Sequence, residues 1–245
     1  SLTGTNATLF EIQNGGTMTK TGAGSLFSTT PLSNAGTLSI EAGLVNLNNS
    51  FTNSGTVKGT GALDLGTTNT NTGTYAPGLS PGTLSVTGNY TNSILDIEIE
   101  AGMPVAKDLL NVTGNITLTG STLHVSEVQC VAVGTYDIIS YTGTRTGTFA
   151  TLNMPVGYSV IYNDGAKKVQ LQYVDGLPTI ICPPTVNTNT DPGVCSAGSV
   201  ALGTPTGTDN CTGVVYTNDA PGTFLIGSSV VVWTATDVIN QSATC

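Results

Sequence analysis

The chain has 245 residues, a formal net charge of −9 and only six lysines and arginines, which argues against nucleic acids and anionic membrane surfaces as partners. Only 9% of the residues are charged, whereas 38% are apolar and 31 are glycine, so the chain can form a core and is not disordered. Abundant Thr, Val, Ile and Gly predict an all-β protein, and no apolar run is long enough for membrane insertion.

A four-residue phrase, N-x-G-T, recurs in the first third of the chain. It begins at Asn14, Asn34, Asn53 and Asn71, at intervals of 20, 19 and 18 residues. Each of the first three phrases leads into a short alternating segment, a glycine turn and a second short segment. A repeat of about 19 residues with two or three short strands is typical of one coil of a parallel β-helix. We therefore predict a right-handed parallel β-helix with these asparagines at one corner.

The residues of the phrase have predicted roles in the turn. The asparagine can hydrogen-bond within the turn or to its copy one coil away. The glycine is predicted to supply a positive φ. Coils must stack to bury their inward faces, so both residues should recur in register.

Alternating segments continue beyond the last phrase to about residue 143. Residues 158–174, "YSVIYNDGAKKVQLQYV", then place "NDG" between two alternating segments, which predicts a β-hairpin. A hairpin at the end of a solenoid caps the last coil and protects its edges. The predicted β-helix with its hairpin cap spans residues 1–174.

A second domain is predicted at residues 178–245, after a short linker where the composition changes. Strands are expected near 179–182, 197–202, 213–217 and 229–236. In the last of these, Val231, Trp233 and Ala235 share one face, which predicts the core of a β-sandwich.

Four of the five cysteines, Cys182, Cys195, Cys211 and Cys245, lie in the second domain and predict two disulfides in an oxidising compartment. A zinc site is the less favoured alternative, because there is no C-x₂-C pair and no nearby histidine. Spacing does not decide among the three pairings; the one taken as the expectation is Cys182–Cys211 with Cys195–Cys245. Cys130 is predicted to be a buried free thiol, with an interchain bond as the alternative.

Residues 178–245 resemble the hyalin repeat (HYR) domain. The resemblance rests on "PTIICPPTVNTNTDPGVCSAG", "GTDNC", "FLIGSSVVVWTATD" and "SATC", in that order. It implies an immunoglobulin-like β-sandwich, found in tandem in extracellular adhesive proteins, with the four cysteines at the family's positions. Two departures are "VINQ" in place of the usual "GN" after "TD", and the final strand that the family carries after its last cysteine, here Cys245.

The first domain resembles the β-helical passenger repeats of bacterial autotransporters and haemagglutinin-like adhesins. The resemblance rests on "YAPGLSPGTLSVTGNYT", "DLLNVTGNITLTGSTLHV" and "GTYDIISYTG". It implies a bacterial surface or secreted origin and a structural or adhesive role, without catalytic residues.

The densest acidic row is Asp96, Glu98 and Glu100, followed by Asp108. Paired carboxylates can perform general acid–base chemistry, as in carbohydrate-cleaving β-helices. We favour a solvated strand face instead, because no Arg or His is close in sequence. His124, the only histidine, is likewise predicted to be a surface or packed side chain. The chain is therefore expected not to be an enzyme, and a carbohydrate-binding or carbohydrate-cleaving β-helix is the alternative.

Calcium is a second alternative, and no cofactor is expected. The acidic loops of the second domain contain Asp191, Asp209, Asp219 and Asp237, and Ca²⁺ binds several such oxygens. Asp209 in "TDNC" is more typical of a turn-former that accepts a hydrogen bond from its own main chain.

The expected function follows from this departure, the final strand that the HYR family carries after its last cysteine. A sandwich that lacks an edge strand exposes main-chain N–H and C=O groups and part of its core. A strand donated by an identical chain would fill the vacancy, and a head-to-tail repeat of this contact gives a filament. The expected donor is the segment Leu9, Phe10, Glu11 and Ile12.

The alternative is a fragment of a longer array of tandem domains, whose own last strand follows Cys245. Either way, the sequence predicts an extracellular structural or adhesive protein of a bacterial cell surface. Its expected partners are identical chains or tandem domains, with surface glycans as a further candidate.

Overall fold

The computed structural model describes residues 9–101, 104–211 and 213–245. The chain divides into two compact units, Ser1–Val174 (unit 1) and Asp175–Cys245 (unit 2). Both are built from β-strands, and the described residues contain no helix. Accordingly, the described part of the chain has no long apolar helix of the kind that crosses a membrane.

Unit 1 contains 23 short strands in its described residues. They are β1 (Phe10–Ile12), β2 (Thr17–Lys20), β3 (Ser25–Ser28), β4 (Leu32–Asn34), β5 (Thr37–Ile40), β6 (Leu44–Leu47), β7 (Ser50–Asn53), β8 (Thr56–Gly59), β9 (Ala62–Asp64), β10 (Thr68–Asn71), β11 (Thr74–Pro77), β12 (Thr83–Thr87), β13 (Tyr90–Thr91), β14 (Ile94–Glu100), β15 (Ala106–Lys107), β16 (Leu109–Thr113), β17 (Ile116–Thr117), β18 (Thr122–Glu127), β19 (Gly134–Tyr141), β20 (Arg145–Thr146), β21 (Thr151–Asn153), β22 (Tyr158–Asn163) and β23 (Lys168–Tyr173).

From β1 to β14, successive strands belong to different sheets, so that three strands make one coil. The first sheet joins β1, β4, β7 and β10, and the second joins β2, β5, β8, β11, β14, β18 and β21. The third contains β3, β6, β9, β12, β16 and β19, while β13, β17 and β20 form a short fourth sheet. Neighbours along these paths are parallel. The predicted all-β, β-helix-like solenoid is therefore present in unit 1.

The core of unit 1 is a set of stacked columns of inward-facing side chains. One column of the second sheet consists of Leu38, Val57, Tyr75, Leu95 and Leu123, which are in register on consecutive coils. Each of these side chains is at most 1% exposed. Alternation along each strand sends every second residue inward, so a few apolar residues per coil are enough to build a continuous core.

Three of the asparagines in the N-x-G-T phrase form a hydrogen-bonded ladder. Nδ2 of Asn34 donates to Oδ1 of Asn53 (2.7 Å), and Nδ2 of Asn53 donates to Oδ1 of Asn71 (2.8 Å). Asn34 and Asn53 are fully buried, and all three are in register. The predicted bond between copies one coil apart is confirmed for these three residues.

Asn14 lies in the corresponding turn but does not join the ladder. The turn from β1 to β2 is longer than the later turns, so that Ile12 occupies the place beside Asn34 and Asn14 is exposed. Oδ1 of Asn34 is consequently buried without a hydrogen-bond partner among the described residues. The asparagine ladder therefore ends at Asn34.

The glycine of the phrase is required for a different reason from the one predicted. Gly36, Gly55 and Gly73 do not have a positive φ. A Cβ at Gly36 would collide with the carbonyl oxygen of Gly16 one coil earlier, and a Cβ at Gly55 would collide with that of Gly36. The same carbonyls accept from the threonine N–H groups of the next coil, at 2.9 Å for Thr37. The glycine therefore permits close approach of one turn to the next.

The hairpin predicted at residues 158–174 is present. β22 and β23 pair along their whole length, and β23 also pairs antiparallel with β19. The third sheet thus ends in two antiparallel strands, and its last parallel strand, β19, has a neighbour on both sides.

Unit 2 contains five short strands in its described residues. They are β24 (Ser196–Gly198), β25 (Val215–Asn218), β26 (Thr223–Leu225), β27 (Trp233–Thr236) and β28 (Ser242–Thr244). β24 pairs with β26, and β25, β27 and β28 form a second antiparallel sheet. The disulfide Cys182–Cys245 closes a loop with a sequence separation of 63, which contributes about 4 kcal/mol in the chain-entropy description.

The strand predicted at 229–236 begins only at Trp233. Ala235 is fully buried, as predicted for the core face. Val231 and Trp233 are only partly buried, and Val230 is 89% exposed. Ala235 is thus the one fully buried residue of the predicted face, and no described strand pairs with residues 228–232 to extend the sheet.

Replacement of Asn53 by Ala is expected to lower the free energy of unfolding by about 2–4 kcal/mol, since it removes a ladder member that bonds on both sides and leaves a cavity. Urea denaturation monitored by circular dichroism measures this loss. Asn14→Ala is the matched control, because Asn14 belongs to the same phrase but is exposed, and it should change stability by less than about 0.5 kcal/mol. Equal effects of the two substitutions would contradict a stabilising role of the ladder.

Candidate functional site

The cysteines pair differently from the expectation. Cys182 is bonded to Cys245, and Cys195 is a free, exposed thiol. Cys130 and Cys211 are both disulfide-bonded, so the prediction of a free thiol at Cys130 is wrong. The number of cysteines predicts the number of disulfides, whereas their pairing depends on which sulfur atoms the fold brings together.

A cleft of about 210 Å³ lies on the outer surface of the second sheet of unit 1. Its polar lining consists of Lys58, Ser80, Asp96, Glu98, Asp108 and Ser126. Asp96 and Glu98 come from β14, Lys58 from β8 and Ser126 from β18. Glu100 lies at the end of β14, beside Ala106 of β15, and does not line the cleft.

Asp108 is the buried member of this acidic group. Its Oδ1 accepts from the main-chain N–H of Gly82 and its Oδ2 from that of Glu98, both at 2.8 Å. Burial raises the pKa of Asp108 to about 6, although these two hydrogen bonds act in the opposite direction. Gly78 has a φ of 91°, and a Cβ there would collide with the Asp108 carboxylate. Asp108 therefore organises the loop 77–82 instead of facing a ligand.

His124 lies next to the acidic row, which the sequence analysis did not foresee. It is the register partner of Asp96 on the neighbouring coil, and its Nδ1 is 3.1 Å from Oδ1 of Asp96. Both side chains are 46% exposed. An exposed pair of this kind adds little stability, but it presents a carboxylate and an imidazole together at the surface.

The cleft has the chemistry of a hydrogen-bonding site. Glu98 accepts from the Ser80 hydroxyl at 2.9 Å and stands beside Ser126 in the register of β14 and β18. Hydroxyls, carboxylates and one lysine can together bind a ligand rich in hydroxyl groups.

A groove of about 460 Å³ lies on unit 2. Its lining includes residues 182–190 and 224–229, together with Val231 and Trp233. Neither 182–190 nor 226–232 belongs to a strand. Two apolar side chains of this lining, Leu225 and Ile226, are highly exposed.

The main chain beside the groove has an open hydrogen-bonding edge. The N–H and C=O of Trp233 pair with Cys245 at 2.9 and 3.0 Å, whereas those of Val232 face the opposite side and bond Asp219. Because the direction alternates along an extended chain, the N–H and C=O of Val231 face the same side as those of Trp233. No described residue pairs with these groups of Val231.

The predicted donor residues lie at the first coil of unit 1. Phe10–Ile12 form β1, which pairs with β4 of the same chain, and Leu9 precedes it. Phe10 N donates to Pro31 O, and Ile12 O accepts from Ala35 N, both on the β4 side. The main-chain groups of Glu11 therefore face away from β4.

Two of the four aspartates considered for calcium serve local main-chain contacts. Asp191 accepts from Gly198 N (2.8 Å) and Asp219 from Val232 N (2.7 Å), so these two stabilise local main chain. Asp209 accepts from Cys211 N (2.9 Å), as predicted for a turn, but it also lies beside Asp175. Asp175 was missed, because it stands in the predicted linker, far from Asp209 in sequence.

No protein family, curated protein or solved structure matches the chain.

The stability contributed by Asp108 should fall as the pH rises from about 4 to about 6. Its pKa in the folded protein is above the ordinary value of 3.8, so the folded state holds the proton more tightly in this window. The pKa values of Asp137 and Asp164 are lowered, so these two carboxyl groups make the stability depend on pH at lower pH values. Urea unfolding midpoints measured between pH 4 and pH 7 report the slope.

Asp108→Asn should remove the dependence of stability on pH in this window. It should also reduce stability at every pH, because the amide group of the asparagine would face a main-chain N–H. Asp96→Asn serves as the control from the same cleft and should retain the slope. The explanation fails if the wild-type protein and Asp108→Asn show the same slope across this window.

Proposed function

We propose that the chain is a structural, adhesive segment of an extracellular bacterial surface protein, and that it joins identical chains by adding a β-strand to unit 2. The observation that carries the proposal is the unpaired edge at Val231 beside an exposed apolar groove. The added strand would complete an immunoglobulin-like sandwich, and unit 1 would serve as a right-handed β-helical stalk.

An unpaired edge next to exposed apolar side chains is a template for strand addition. In unit 2 the pairing of Trp233 with Cys245 fixes where an added strand begins and on which side it lies. Main-chain hydrogen bonds supply affinity, and alternate side chains entering the groove supply register. The groove thus suits an extended peptide better than a compact small molecule.

The proposed donor is the edge at Leu9–Ile12 of a neighbouring copy. Pairing with β4 uses one side of β1, and the main-chain groups of Glu11 remain directed outward. A contact between this edge in one copy and the open edge of unit 2 in another is heterologous, so its repetition produces a filament.

Extracellular location is supported by the disulfides, which persist in oxidising compartments. The regular stack of coils supports a structural role, since solenoids provide length with few residues per coil.

Val231→Pro is expected to abolish assembly, because proline removes an N–H that faces the added strand. Analytical ultracentrifugation over a range of concentrations, with electron microscopy of the largest species, measures the effect. All variants carry Cys195→Ser, which prevents disulfide exchange through the exposed thiol. Wild-type protein should form end-to-end multimers, and Val231→Pro should remain monomeric.

Val230→Pro is the matched control, since the N–H of Val230 faces the opposite side of the chain. It should assemble as the wild type does, provided circular dichroism shows both variants to be folded. A wild-type chain that stays monomeric at all concentrations would contradict the assembly proposal. Assembly unaffected by Val231→Pro would place the contact elsewhere and contradict the role of the groove.

A carbohydrate-binding solenoid is the second candidate function, favoured by the cleft in unit 1. Asp96 and Glu98 line it, Ser80 bonds Glu98, and His124 of the neighbouring coil lies beside Asp96. Charged acceptors hydrogen-bond sugar hydroxyls strongly.

Glu98→Gln is expected to weaken oligosaccharide binding about tenfold, since it replaces a charged acceptor by a neutral one of the same size. A glycan array identifies the oligosaccharide, and calorimetry measures its affinity. Glu100→Gln is the control, because Glu100 lies on the same strand outside the cleft. An array without any bound glycan, or equal losses in the two variants, would refute carbohydrate binding at this cleft.

A further inference from the structure

We propose that unit 2 contains a calcium site formed by the carboxylates of Asp175 and Asp209, with Asp237 completing its acidic environment. The proposal concerns a different part of unit 2 from the groove and does not depend on strand addition.

The spacing of the two carboxylates fits one ion. Ligand oxygens of Asp175 and Asp209 lie within 4.8 Å of each other. Two oxygens that each lie 2.3–2.6 Å from the same Ca²⁺ are at most about 5 Å apart. Local hydrogen bonds hold this arrangement, since Cys211 N donates to Asp209 Oδ2 and Gly176 N donates to Asn210 Oδ1.

Two carboxylate oxygens of this group are buried without a hydrogen-bond donor among the described residues. One is Oδ1 of Asp209, which no described residue contacts by a hydrogen bond. The other is Oδ2 of Asp237, a residue that is only 5% exposed and whose Oδ1 accepts from Ile239 N and Gln241 N. A buried anionic oxygen without a donor is costly unless a charge compensates it.

Gln241 connects the third carboxylate to the pair. Its main-chain N–H donates to Asp237 at 2.8 Å, and its side-chain Nε2 reaches Oδ2 of Asp175 at 3.4 Å. Asp175 is itself only 8% exposed. One glutamine thus links two buried carboxylates, those of Asp237 and Asp175.

No side chain of unit 2 supplies the compensating charge. The sequence from 175 to 245 contains five aspartates and no glutamate, lysine, arginine or histidine. A bound cation would balance the charge of these carboxylates.

The donor set selects a hard cation. The sulfur of Cys211 lies in the same group, but it is disulfide-bonded and offers no thiolate, which removes the soft ligand that zinc favours in structural sites. Carboxylate and main-chain oxygens suit Ca²⁺, which accepts irregular geometry, better than Mg²⁺, which requires a near-ideal octahedron.

The test is calcium titration of the full, non-reduced chain after treatment with EDTA. Calorimetry and thermal unfolding should show saturable binding and a raised Tm for the wild type. Asp209→Asn and Asp175→Asn should each weaken binding at least about tenfold. Asp191→Asn is the matched control, an exposed aspartate of the same unit that bonds Gly198 N, and it should bind as the wild type does.

Each variant is first compared with the wild type in EDTA by circular dichroism, so that loss of folding is recognised. If a variant is unfolded, displacement of Tb³⁺ by Ca²⁺ on the wild-type protein remains decisive. Absence of binding to the folded wild type at millimolar Ca²⁺ would overturn the proposal, as would unchanged binding in both Asp209→Asn and Asp175→Asn. Val231→Pro should retain calcium binding, which separates this site from the proposed assembly.

Discussion

The close stacking of one coil on the next is the constraint on which unit 1 depends. From the second N-x-G-T turn onward, each turn lies against a main-chain carbonyl of the preceding coil, at a distance that leaves no room for a Cβ at Gly36, Gly55 or Gly73. The strand spacing of a parallel sheet, about 4.8 Å, is thereby kept through the turn. The same spacing brings Asn34, Asn53 and Asn71 within hydrogen-bond distance. The sheet, the turn and the asparagine ladder therefore all follow the same spacing between coils.

Unit 2 is stabilised by different means. Its described strands are short, and several apolar side chains, such as Val230 and Leu225, are exposed. A disulfide ties Cys182 near the beginning of the unit to Cys245 at its end. Such a bridge limits the unfolded chain, whereas the solenoid gains stability from contacts between neighbouring coils. The two units therefore differ in how much of their sheet edge remains open.

The candidate sites lie where regular structure is interrupted. In unit 1 the cleft forms beside the loop 77–82, which closes over the Asp108 carboxylate and departs from the preceding coils. In unit 2 the groove lies where β27 begins later than its apolar pattern predicts, and the carboxylate group lies in turns around Asp175 and Asp209. Regular coils repeat the same side chains at the same positions, so they offer few places where unlike groups converge.

The sequence by itself determined the repeat, the all-β class and the hairpin at 158–174, because strand alternation and turn residues are local properties. It also predicted the asparagine ladder, since a period close to one coil places Asn34, Asn53 and Asn71 in register. Only the tertiary structure decided that Ile12 replaces Asn14 in that column, that Asp96 meets His124, that Asp175 meets Asp209 and that Cys182 pairs with Cys245. These contacts depend on the lengths of the turns and on the path of the chain, and neither appears as a periodic pattern in the sequence.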